Sequence, residues 1–165
     1  MKLLLLIALS SGMGVLFSQS NQAAHEPKFS ELSVQDKARL DQQRALVATT
    51  AKQRYGIPAL SRTKQDLPIL QRLIDDKVFK KFQKYEWQSL GVVFGDVLAS
   101  ELPLRWVMIT DEYGTDPTLR FKNTSVNINA LTMLSKRVER DESVDVFSLL
   151  QTNREAISDA QKRLR

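Results

Sequence analysis

Apolar and polar positions along the chain follow a helical period, then a strand period, then a helical one again. From Ser33, Leu40, Val47 and Ala51 recur at helical spacing until Tyr55-Gly56, and Ser33 three residues ahead of Asp36 is a weak variant of a capping box. Gly56 with Pro58 beyond it predicts the stop. A second helix is predicted from Asp66, with Pro68 in its first turn and Leu67, Leu70, Leu73 and Ile74 as its apolar stripe. "KVFKKFQKYEW" reads either as one helix or as a break near Lys80 with a fresh helix from about Phe82, and the break fits better. Through "QSLGVVFGDVLASEL", Leu90, Val93, Phe94, Val97 and Leu98 share a wide apolar face, and Pro103 ends the helix.

After Pro103 the period falls to two. In "LRWVMIT" Leu104, Trp106 and Met108 point one way and Arg105, Val107 and Ile109 the other, so apolar that cover on both faces is expected. "TLRFK" and "SVNINA" send Leu119, Phe121, Val126, Ile128 and Ala130 inward, and Arg120, Lys122, Asn127 and Asn129 outward. Leu131, Leu134 and Val138 restore the helical period, and a last helix carries Leu150, Ile157 and Leu164. The predicted class is α+β: a small three-stranded antiparallel sheet packed against several helices, with all-helical N- and C-terminal extensions. There is no internal repeat.

The N-terminus adds a location. Lys2, the run "LLLLIALSSGMGVLF" and Ser18-Gln19-Ser20 form the three regions of a signal peptide, so residues 1–20 are expected to be cleaved near Ser20. The rival is a retained anchor, but Ser10, Ser11, Gly12 and Gly14 dilute a run already short of the ~20 residues a span requires. Residues 21–32 read as a disordered leader and 33–165 as a single domain, periplasmic or secreted. The chain has no cysteine, which excludes a lipid-anchored cysteine, disulfides, thiol catalysis and thiolate metal sites. At 42% hydrophobic and 26% charged the composition is that of an ordinary globular protein. The net charge of +5 and pI of 9.6 hint at an anionic partner, though acidic and basic residues are interspersed.

The densest group of acids, Asp111, Glu112 and Asp116 in "ITDEYGTDPTLRF", falls between two strands. Gly114, Asp111, Asp116 and Pro117 are what a chain reversal requires, which leaves Glu112 and Tyr113 as surplus. The segment lacks the register of a calcium loop, so no metal and no cofactor are predicted. Asp96 and Glu101 lie on or beside an apolar helix face, and ion pairing with Arg105, Lys136, Arg137 or Arg140 is the simplest use for them. Gly91 and Gly95 read as a close-packing pair. Lys77, Lys80, Lys81 and Lys84 interleave with Phe79, Phe82, Tyr85 and Trp87; buried rings under a solvated basic face are expected, with weak contact to anionic lipid as the alternative. Export argues against nucleic acid. The only histidine is His25, no serine sits in a G-x-S-x-G context, and no phosphate-cradling glycine loop is present, so no catalytic residue is assigned. Asn123-Thr124-Ser125, although a glycosylation sequon, reads as a turn.

"LGVVFGDVL", "WVMITDEYGTDPTLR" and "TMLSKRVE" together resemble a bacterial family known as a domain of unknown function, over about residues 64–145. The pattern is an LGxxxGDxL helix, a WVxxxDEYGxDPxLR strand–turn–strand and a TxxSKRxE helix. Asp141 departs from it, where a glycine is expected after the last helix. The resemblance implies a small α+β domain and supplies no activity. It places Asp96, Asp111, Glu112, Tyr113, Asp116, Arg120 and Lys136 in one unit, the candidate binding residues for a protein, peptide or glycan of the cell envelope. A non-enzymatic interaction module is expected. The alternatives are an immunity-type protein that blocks an exported toxin, and a hydrolase of envelope material using Asp96, Glu101, Glu112 and Asp116.

Overall fold

The computed structural model describes residues 26–164. In chain order the elements are β1 (Lys28–Ser30), α1 (Val34–Tyr55), α2 (Leu67–Asp75), α3 (Lys84–Glu101), β2 (Leu104–Asp111), β3 (Gly114–Phe121), β4 (Asn127–Ile128), α4 (Ala130–Glu139) and α5 (Val146–Arg163); a short 3-10 turn, Lys64–Asp66, leads into α2. The apolar run ahead of residue 20, its cleavage position and His25 lie outside the described residues. No described helix is long and apolar enough to cross a membrane.

The helix ends follow local chemistry. Ser33 Oγ accepts from the Asp36 N–H at 3.1 Å and Asp36 accepts from the Ser33 N–H at 3.0 Å, a complete capping box with aspartate in the place of glutamate. Gly56, at φ 71°, closes α1 with its N–H on the Lys52 carbonyl. At the end of α4, Asp141 takes φ 58° while its N–H bonds Val138 and the Glu142 N–H bonds Arg137, the two bonds of a Schellman stop. The position where glycine was expected is therefore left-handed, and Asp141 holds it against the Cβ penalty.

Helix α3 occupies the centre. Every residue from Ser89 to Leu98 is buried, because α1, α2, α4, α5 and β2 surround it. The wide apolar face expected from the sequence is in fact a helix covered all round. Two glycines make this possible. A Cβ on Gly91 would lie 2.5 and 2.6 Å from the Leu131 and Ala130 carbonyl oxygens, and one on Gly95 would enter the Trp106 ring. Close packing is thus their role, as their spacing predicted.

The sheet has four antiparallel strands in the order β1-β2-β3-β4, one more than predicted. The extra strand is Lys28–Ser30, within the segment read as a disordered leader, and it pairs Phe29 with Ile109. Its polar sequence gave no strand signal. What holds it is β2's ladder and the Arg120 guanidinium, which stacks on the Phe29 ring at 4.2 Å. The N-terminal extension is therefore not all helical. Leu104, Trp106 and Met108 share one face as predicted, opposite Phe121, Leu119 and Pro117, and that face meets the helices. β4 is only two residues long; Asn129 caps α4, and Ala130 belongs to that helix rather than to a strand.

Three expected burials fail. Leu164, just beyond the end of α5, is exposed, and of the aromatic residues among the lysines only Phe79 and Trp87 are buried, while Phe82 and Tyr85 face solvent. The chain breaks between α2 and α3 as expected, with Lys77 at φ 50° and the Trp87 indole N–H bonded to the Lys80 carbonyl at 3.0 Å.

Candidate functional site

The predicted site residues separate into a buried hub and an exposed hairpin. At the hub, Asp96 is 7% exposed and accepts four hydrogen bonds: from Arg44 Nε and Nη2, both at 2.7 Å, from Trp106 Nε1 at 2.9 Å and from Arg62 Nε at 3.1 Å. The bidentate Arg44 fork matches a carboxylate's geometry. Burial on its own would raise the Asp96 pKa; the hydrogen bonds and charge of Arg44, with Trp106 and Arg62 behind them, outweigh it and hold the carboxyl below its usual range. Asp96 is therefore an anion fixed by arginine. The arginines are not those the sequence suggested. Arg105 pairs with Glu31, Arg137 donates to the Met133 carbonyl, and Arg140 approaches Glu142.

Arg62 reaches the hub through a loop built by a second buried acid. Asp66 accepts from the Ser61 N–H at 2.8 Å and the Arg62 N–H at 2.7 Å, and Arg62 sits at φ 60°. The sequence marks Asp66 only as a helix start.

The hairpin joins β2 to β3 with Asp111 opposite Gly114, so the loop is Glu112-Tyr113 alone. Asp111 Oδ1 accepts from the Tyr113 N–H at 2.9 Å, and Gly114 adopts φ 132°. These two residues make the turn, as read. Asp116 and Pro117 do not. They lie inside β3, opposite Ile109 and Met108. The Phe121 N–H bonds Val126 on the β4 side, so strand alternation places Pro117 on that same edge, beyond the short β4, where no ladder bond requires its missing N–H.

The other predicted residues have separate positions. Arg120 Nε donates to the Thr124 carbonyl at 2.6 Å and its guanidinium covers Phe29, which makes it a brace between the β3–β4 turn and β1. Lys136 is exposed on α4, and no hydrogen bond or ion pair among the described residues links it to the hairpin. Glu101 pairs with Arg154 on α5 at 3.3 Å. Lys81 pairs with Asp141 at 2.7 Å. Among the described residues no group of three or more His, Cys, Asp or Glu side chains is placed to hold a metal ion.

The residues missed in the sequence, Gln43 and Arg44, had left a signal there. They occupy the i+3 and i+4 positions after Leu40 on the stripe that continues through Val47, where an aliphatic pair would be expected.

A central helix buried from Ser89 to Leu98, packed between other helices and an antiparallel sheet, defines a small α+β domain. The model of the family described as "Domain of unknown function (DUF3806)" matches residues 66–149, about half of the chain, and the chain belongs to that family. In fold it is similar to a crystal structure of a protein from Bacteroides thetaiotaomicron VPI-5482, with a TM-score of 0.71 at 16% identity. That alignment covers 82% of this chain and 50% of the other, so this chain spans half the length of the structure it matches. No curated protein matches it in sequence.

Proposed function

We propose that the protein is an exported, non-catalytic binding module of the bacterial cell envelope, whose contact surface is centred on Glu112 and Tyr113. One observation carries this reading: Tyr113 is 87% exposed at the tip of an eight-pair strand ladder, and neither it nor Glu112 supplies the side-chain contacts that form the turn. Tyrosine and a neighbouring charge held on a rigid support are the composition that interface anchors favour. Export rests on the signal-like residues 1–20. The partner class is a protein, peptide or glycan of the envelope, and an immunity-type role against an exported toxin would use the same projection.

The hydrolase reading is less well supported. Two of its four acids, Asp96 and Glu101, are each engaged by arginine. Replacing Tyr113 by a photoreactive benzoylphenylalanine in cells tests the proposal. A discrete cross-linked product is expected from that position and none from the same label at Lys136; equal or absent labelling at both would overturn it.

A further inference from the structure

The Asp96 hub lines a cleft of about 310 Å³ between α1, α3 and the loop that follows Gly56. Its charged lining residues are Arg44, Arg62 and Asp96, and the others, Ala45, Ala48, Pro58, Ala59, Leu60 and Val93, are apolar. Apolar walls around a few fixed polar groups are the usual make-up of a small-molecule site.

The polar groups are committed unequally. A carboxylate offers about four lone-pair sites, and four donors fill those of Asp96. All three nitrogens of Arg44 donate, two to Asp96 and one to Asp41. Arg62 is different. Its Nε is anchored on Asp96 at 3.1 Å, but its terminal nitrogens make no hydrogen bond among the described residues, and Nη2 lies 3.9 Å from the exposed Asp41, outside the cleft lining. Two arginines balance Asp96 and Asp41, so net charge selects no ligand; the lining side chains offer free donors and no free acceptor.

Arg62 is also held where it is. Asp66, accepting from the Ser61 and Arg62 N–H groups, fixes Arg62 at φ 60°, a conformation that costs a residue with a Cβ free energy. With its side chain 54% exposed, Arg62 adds little to the stability of the hub, so the strain is not explained by folding. Its consequence is a guanidinium whose outer end is preorganised beside the cleft.

We infer that this cleft binds a small aliphatic carboxylate, its chain on the apolar walls and its two oxygens on the terminal nitrogens of Arg62. The end of a guanidinium matches a carboxylate bidentately, and the charge shortens and strengthens both bonds. An amine finds no free side-chain acceptor here, and a sugar would leave hydroxyls unpartnered against alanine, proline and leucine. The volume, at the lower end of the ~300–1,000 Å³ of ligand pockets, suits a short chain.

The site does not rest on the hairpin. Its test is an NMR titration of the full chain with sodium pentanoate to about 50 mM against the same concentration of sodium chloride, a range suited to the millimolar affinity of a small ligand. Saturable shifts of the Ala59 methyl and of the Trp106 indole N–H, which shares the Asp96 carboxylate, are expected, while the Trp87 indole, bonded to the Lys80 carbonyl, stays in place. Acetate, three methylenes shorter, should bind at least about tenfold more weakly, and pentylamine should not bind. Arg62→Ala should weaken pentanoate at least about fivefold, and Ala48→Leu should block the cleft with Arg62 intact. A Glu112→Ala/Tyr113→Ala double variant should titrate like the wild type, which separates this site from the hairpin. Should Ala48→Leu fail to fold, Arg62→Ala decides. The inference is overturned if pentanoate moves these signals no more than chloride does, if acetate or pentylamine binds as tightly, or if Arg62→Ala or a folded Ala48→Leu binds unchanged.

Discussion

Removing Asp96 should destabilise the protein more than any other loss of a single charge. Its carboxylate satisfies four donors from three elements, and Asp96→Ala strips all four at once. Arg44, 15% exposed in its side chain, would retain only the exposed Asp41. Breaking a buried pair in this way costs about 3–5 kcal/mol. A cleft of about 310 Å³ beside Arg44 and Arg62 lets water reach the orphaned guanidinium, which places the expected loss near the lower end, about 3 kcal/mol. At roughly 2–4 °C per kcal/mol for a domain of this size, the midpoint should fall by about 6–12 °C. Arg62 is 54% exposed, so Arg62→Ala should cost at most about 1 kcal/mol. The assay is urea unfolding followed by circular dichroism and by tryptophan fluorescence, since Trp106 donates to the carboxylate. An Asp96→Ala cost below about 1 kcal/mol, or Arg62→Ala costing as much as Arg44→Ala, would refute the argument that burial and the bidentate fork make this hub.

Acid should act through the same group. Because the folded state holds the Asp96 pKa below that of the unfolded chain, the unfolded chain binds more protons; the contribution is full above the unfolded value of about 3.9 and disappears as pH falls through the folded value. An unfolding series from pH 7 to pH 2 should show a shallower acid slope in Asp96→Asn than in the wild type. Gly91→Ala should cost several-fold more than Gly95→Ala in the same assay, because backbone carbonyls at 2.5 and 2.6 Å cannot yield while the Trp106 ring can turn. Asp141→Gly should gain a few tenths of a kcal/mol, since relief of the left-handed residue exceeds the exposed pair with Lys81.

Much of this architecture was legible in the chain. Ser33 and Gly56 bracket α1, Pro103 separates α3 from β2, and the alternation places Leu104, Trp106 and Met108 on one face of β2. These are local signals, read from residues whose backbone needs are met nearby. What was missed depends on partners distant in sequence. Lys28–Ser30 becomes a strand only because β2 offers an edge, and Arg44 becomes a ligand to Asp96 across 52 positions. The acidic segment was half legible: Asp111 and Gly114 form the turn, but the two-residue loop places Asp116 and Pro117 within the next strand, opposite Ile109 and Met108. Gln43 could have been noticed as a polar residue on an apolar stripe, although its burial is visible only in the fold.

The central claim is that the hairpin tip exists for contact and not for folding or chemistry. Affinity capture from the cell envelope with wild type and with Glu112→Ala/Tyr113→Ala tests it, alongside thermal unfolding of both. The captured partner should be lost with an unfolding midpoint unchanged within about 2 °C, as expected for exposed positions. An unchanged capture profile, or a variant that no longer folds, would contradict it.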